Sequence, residues 1–136
     1  NIVRLAPGAA EEIDDVPVGR LYKDGIIIAD EDSVGVPERR KLGFAGHVAV
    51  SVVLDGKGSV AVDPEIALTG LPIHGVSGHP FEETVMTAVL GTIESIPRAR
   101  RRDPDLVREA IRRSVRAAVR QAWGKKPLCT VFVAIV

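Results

Sequence analysis

At 136 residues the chain is long enough for one domain, with room for an attached arm, that buries roughly two-thirds of its unfolded surface without staples. A single cysteine, Cys129, excludes an intramolecular disulfide and suits a reducing, cytoplasmic setting, and no apolar run nears the roughly twenty residues that span a bilayer. Lys plus Arg and Asp plus Glu balance at 18 each, but eleven of the basic and only three of the acidic residues fall in 98–126, so neutrality hides a basic segment against an acidic remainder.

The text Asn1-Ile2-Val3-Arg4 has neither an initiator methionine nor a signal-peptide apolar core, and reads as cut from a longer chain. Residues 1–15 are rich in Gly, Ala and acid, with Pro7-Gly8 as a turn and Glu11, Glu12, Asp14 and Asp15 clustered; with little to bury, they read as a linker. Residues 18–28 carry a hairpin signal, two β-rich runs flanking Asp24-Gly25, which tolerates the positive φ of tight turns. Residues 30–41 return to charge with Gly35 and Pro37 and read as a second loop or linker.

The core is expected to begin near Gly43. In 47–54, Val48, Val50, Val52 and Leu54 share one face against His47, Ala49 and Ser51 on the other, the period of a strand with one buried side. Residues 55–58 turn the chain back, 59–62 pair antiparallel, and 65–71, after Asp63-Pro64, give a third strand or a continuation. A helix follows from Pro80, with Glu82 and Glu83 in its first turn and Phe81, Val85, Val89 and Ile93 four apart as its buried stripe, until Pro97 stops it. A second helix has Asp103 as cap, Pro104 at its first position, Leu106, Val107, Ala110, Ile111, Ala118 and Ala122 as its apolar side, and Gly124 as its stop. Residues 128–136, apolar almost throughout, read as a strand buried on both faces that enters beside the first. The order β-β-(β)-α-α-β predicts an α+β two-layer sandwich, a small mixed sheet of three or four strands covered by two α-helices and preceded by a hairpin-bearing arm. The domains are then 1–42 and 43–136. Apolar β residues outnumber what two helices can cover, which leaves one sheet face or edge for a partner.

Chemistry is thinly signalled. His74 and His79 flank a Gly-containing loop, yet a hydrolytic zinc site needs three or four ligands on a rigid frame, and Glu82 and Glu83 sit on a helix turn that points elsewhere. Ser77 beside His79 lacks a third orienting group and the nucleophile-elbow glycines, and Gly56, Gly58, Gly70, Gly75 and Gly78 match no phosphate or dinucleotide loop. His47 reads as structural and Cys129 as a buried, inert thiol. One polar constellation stands out: Arg108, Arg112, Arg116 and Arg120, stacked four apart with Arg113 beside them and Arg98, Arg100, Arg101 and Arg102 upstream. It is either a solvated helix face or a stripe for an anionic partner, weak and sequence-independent RNA contact included; aromatic stacking platforms are absent, since Trp123 ends a helix and Phe132 lies in the strand expected to be buried.

Several stretches in succession carry a family resemblance: 15–25 (Asp-Val-Pro-Val-Gly-Arg-Leu-Tyr-Lys-Asp-Gly), Glu38-Arg39-Arg40-Lys41-Leu42 leading into 47–55, Asp63-Pro64-Glu65-Ile66, and Lys125-Lys126-Pro127 before the closing strand. In this order and spacing the chain resembles the C-terminal end of bacterial ribonuclease J, a β-CASP member of the metallo-β-lactamase superfamily. The resemblance implies that 1–42 is the tail of a catalytic region with its linker and that 43–136 is a small α/β domain for homodimerisation, without catalytic residues or cofactor of its own. The intact enzyme it implies is a zinc-dependent 5′ to 3′ exoribonuclease and endoribonuclease of RNA maturation and decay, whose HxHxDH-type ligands are absent here. Ser77-Gly78-His79 mimics a metal motif of that family but falls after the catalytic region, so its role is not carried over. The partners implied are a second copy, the catalytic domain of the same chain and RNA, with no membrane.

Overall fold

A computed structural model of the chain describes residues 2–15 and 19–136. The chain forms two compact units, Asn1–Pro37 and Glu38–Val136. In the first, β1 (Ile2–Ala6) and β2 (Ala9–Asp14) pair antiparallel where composition predicted a linker. The register joins Ala6 to Ala9, so Pro7 and Gly8 are the two central turn residues, and Gly8 takes φ +79°, a conformation glycine adopts without a Cβ penalty. Every residue of both strands is exposed, so the ladder is held by backbone pairing rather than by a core.

The second hairpin, β3 (Tyr22–Asp24) and β4 (Ile27–Ala29), forms where expected, apart from the start at Val18, which lies outside the described residues. Its turn sits one residue later than the Asp-Gly signal. Asp24 pairs with Ile27, leaving Gly25 at φ +60° and Ile26, 98% exposed, at the tip. The second expected loop also differs, because Val36–Ala45 is a helix, α1. Pro37 and Glu38 suit a first turn, and Arg39, Arg40, Lys41 and Leu42 are good helix formers, but only Ala45 is buried, so no apolar period announced it. Gly46, at φ +71°, ends α1; a Cβ there would lie 2.5 Å from the Thr69 carbonyl oxygen, so the chain can pass this point only as glycine.

The second unit holds the core. β5 (His47–Leu54) alternates as predicted, with Val48, Val50, Val52 and Leu54 fully buried. β6 (Val60–Thr69) pairs antiparallel on one side and β7 (Leu128–Ile135) parallel on the other, giving the order β6-β5-β7 with the last strand beside the first. Asp63-Pro64 does not interrupt β6. The register slips between Ser51 and Val53, and this bulge on an edge strand accommodates a residue that has no N–H to give the ladder.

Both helices lie on one face of the sheet, the two-layer α+β arrangement. α2 (Phe81–Ser95) buries Phe81, Val85, Val89 and Ile93, and a 3-10 turn (Arg98–Arg102) leads into α3 (Pro104–Trp123). The Asp103 side chain accepts from the Asp105 and Leu106 backbone N–H groups, and Gly124 at φ +87° closes the helix, as the capping residues predicted. The deepest row of α3 is Val107, Ile111, Val115 and Val119, all fully buried. Ala118 and Ala122, expected in the core, are half-buried: three positions on from Val115 and Val119, they stand about 60° around the helix from the buried row and line the groove toward α2, with Ala122 still packed against the core. β7 corrects a second expectation. Only Val131 is buried and Phe132 is 63% exposed, since an edge strand with helices on one side has one dry face however apolar its sequence.

Candidate functional site

The sheet face away from the helices is open, and its register defines what it presents. Outward-pointing residues form cross-strand rows: Thr69-His47-Leu128, Ala67-Ala49-Thr130, Glu65-Ser51-Phe132 and Val62-Val53-Ala134. These rows contain no lysine or arginine, and Glu65 is their one carboxylate. Small side chains keep the face low, so the Phe132 ring projects from it beside a hollow of about 190 Å³ lined by Ala49, Ser51, Glu65, Ala67 and Phe132 itself. His47 Nε2 pairs with Thr130 Oγ1 at 2.9 Å across β5 and β7, which satisfies the imidazole locally. Such a surface can exclude water against a partner.

The arginine row of α3 is less free than its spacing suggests. Steps of four residues turn the helix through about 400°, so the row drifts by about 40° per step from the edge of the core at Arg108 toward solvent at Arg120. Arg108 pairs with Asp105. Arg112 grips Glu109 through two bonds of 2.9 Å, and Arg113 donates a third to the same carboxylate. That hydrogen bonding, from Arg112 first, holds the Glu109 carboxyl down at about 2. Arg116 donates from Nε to the Pro127 carbonyl at 3.1 Å, fastening α3 to the entry of β7. Arg120 alone of the four is exposed and makes no ion pair or side-chain hydrogen bond among the described residues.

The basic segment upstream divides the same way. Arg101 turns inward and donates to three carbonyls, Ile96 at 2.8 Å, Gly58 at 2.9 Å and Glu94 at 3.3 Å, clamping the 3-10 turn to the end of α2 and to the β5–β6 turn. Arg98, Arg100 and Arg102 stay exposed; after the Ser59 and Lys57 backbone N–H groups, the charge of Arg98 helps lower the Asp55 carboxyl, while Arg100 and Arg102 have no side-chain partner among the described residues. The i,i+3 and i,i+4 pairs of Asp105 and Glu109 were legible in the spacing. The carbonyl bonds of Arg101 and Arg116 join distant segments and left no local signal.

His79 Nδ1 lies 3.8 Å from Glu83 Oε2 on an exposed helix start, and no three His, Cys, Asp or Glu converge among the described residues, so this donor set does not fit a zinc ion. Cys129 faces the helix layer half-buried; burial pushes its thiol up to about 11, against the opposing pull of Arg112 and Arg116, which is the setting of an unreactive thiol. A shallow groove of about 800 Å³ runs between α2 and α3 past His79, Thr87, Ser114 and Ala118. No helix among the described residues is long and apolar enough to cross a membrane.

Residues 34–136 match the family model described as the ribonuclease J C-terminal domain. Curated relatives named ribonuclease J include one from Sinorhizobium meliloti, 53% identical over 98% of this chain, and one from Mycobacterium tuberculosis, 31% identical over 93%. A third, from Corynebacterium glutamicum, is 27% identical over 93%. The chain spans 24%, 22% and 17% of these relatives respectively, about a quarter of their length or less.

Proposed function

This chain belongs to the ribonuclease J C-terminal domain family, and from that premise we propose that it is the non-catalytic assembly domain of a ribonuclease J-like enzyme and joins two copies of it. In this reading residues 1–42 are the tail of the catalytic region and its linker. The intact protein is a cytoplasmic, zinc-dependent 5′ to 3′ exoribonuclease and endoribonuclease whose zinc ligands and reacting groups lie outside this chain. The open face of the β6-β5-β7 sheet carries the proposal: apart from His47 and Glu65 its rows are apolar or small-polar, they hold no lysine or arginine, and one exposed phenylalanine dominates them, as in the core of an association surface.

Deleting 38–136 from the intact protein should abolish self-association and leave its zinc content unchanged. A truncated protein that stays associated, or that loses its zinc, refutes the reading. A second role is supported by the exposed guanidiniums of Arg98, Arg100, Arg102 and Arg120, none in a hydrogen bond or salt bridge among the described residues: weak, sequence-independent contact with RNA phosphates, with Arg108, Arg112 and Arg116 adding charge already shared with internal partners.

A further inference from the structure

We propose that one end of the second unit is a site for RNA phosphates, built from Lys57 on the β5–β6 turn and Arg98, Arg100 and Arg102 on the 3-10 turn; this rests on the RNA reading above and narrows it, because Arg120 is left out. Two turns far apart in sequence are locked together there. The Arg101 guanidinium donates to the Gly58 carbonyl at 2.9 Å, and a Cβ on Gly58 would meet the Arg98 carbonyl oxygen at 3.3 Å. The β5–β6 turn is itself fixed. Gly58 N–H donates to the Asp55 carbonyl at 3.0 Å, and the Asp55 carboxylate accepts from the Lys57 and Ser59 backbone N–H groups at 2.8 and 2.9 Å. Side chains three apart eclipse in a 3-10 turn, so Arg98 lies on the side of Arg101, toward the β5–β6 turn, and Arg100 and Arg102 flank it. Arg98 to Arg102 spans about 8 Å at about 2.0 Å per residue, which gathers the cations into one patch.

The chemistry of this end selects a nucleic acid over a protein. All four cations are exposed, and none is in a side-chain hydrogen bond or salt bridge among the described residues. The carboxylates of the two turns are engaged already, Asp55 by two backbone N–H groups and Asp103 as the cap of α3. Neither 55–58 nor 97–103 holds a large apolar side chain, which the core of a protein interface needs and a phosphate contact does not. The forked donors of arginine match phosphate oxygens, and lysine adds a point charge. Arg120 lies roughly 24 Å further along α3 than Pro104, at the end of the helix that leads to Lys126, too far to share a short stretch of backbone with this patch.

The test is fluorescence anisotropy of the 136-residue chain with a single-stranded homopolymer RNA across a salt series, using charge-matched variants at the two ends of α3. Arg100→Gln with Arg102→Gln should lower the salt slope by about 1.4 and Lys57→Gln alone by about 0.7, each lost phosphate contact counting about 0.7. Arg120→Gln with Lys126→Gln removes the same charge as the first pair and should leave the slope unchanged. Thermal melts of all three should match the parent, since every replaced side chain is exposed. Equal losses from the two pairs, or an unchanged slope in Lys57→Gln, overturns the site and leaves the RNA reading standing. Polyglutamate of equal charge that displaces the RNA as well as unlabelled RNA does overturns it in favour of an acidic protein partner. A parent chain that binds no RNA at low salt sinks both the site and the RNA reading.

Discussion

Arg101 sits in a run of four arginines that sequence reads as surface charge, and its replacement should unfold the domain more readily than that of its neighbours. Its guanidinium satisfies the Ile96, Gly58 and Glu94 carbonyls. Hydrogen bonds to charged groups contribute about 1.5–3 kcal/mol each when their partners are left dry. Arg101 is half-buried and water can reach part of the site, so roughly one kcal/mol per bond is the reasonable scale, about 3 kcal/mol in all for Arg101→Gln. For a domain of about a hundred residues that lowers Tm by at least about 10 °C. Arg100→Gln, on an exposed residue without a partner, should stay within about 0.5 kcal/mol of the parent. Gly58→Ala should resemble Arg101→Gln, because a Cβ at φ +81° is strained and would press 3.1 Å from the Arg101 Cδ. Thermal and urea unfolding followed by far-UV circular dichroism reads all three. Equal stability of the Arg101 and Arg100 variants refutes the clamp.

Three further outcomes follow from the same side chains. Glu109 has its folded-state pKa lowered to about 2 from 4.5, so its contribution is present above pH 4.5 and lost as pH falls toward 2; the Tm gap between the parent and Glu109→Gln should narrow over that window, and a gap independent of pH contradicts the pairing. Cys129, raised to about 11, should alkylate at pH 8 about a hundredfold more slowly in the folded chain than in urea, and equal rates would place it in water. Fluorescence anisotropy with a single-stranded homopolymer RNA should show a salt slope that falls by about 0.7 per lost phosphate contact when Arg98, Arg100, Arg102 and Arg120 become glutamine, and an unchanged slope removes RNA from the role of these residues.

Sequence reasoning carried furthest where burial is periodic. The alternation of 47–54 and the four-residue stripe from Phe81 to Ile93 located the sheet and a helix because one side of each element must be dry. It failed where pairing replaces burial: β1 and β2 bury nothing, so their composition resembled a linker, and α1 has no apolar face to read. It also failed for Phe132, since an apolar run tells how much a strand could bury and not how many layers cover it. The arginines divided by what lies across space. Asp105 and Glu109 are near in sequence, whereas the carbonyls of Gly58 and Pro127 become neighbours only after the chain has folded. The open sheet face emerged from register, which sequence leaves undetermined until strand partners are known.

Sedimentation equilibrium of the 136-residue chain, from about 1 to 100 micromolar (bracketing the range in which weak interfaces populate), tests the assembly role most directly. The predicted result is a concentration-dependent rise to twice the 14.5 kDa chain mass, reversed by Phe132→Ala. A mass of 14.5 kDa at every concentration contradicts it.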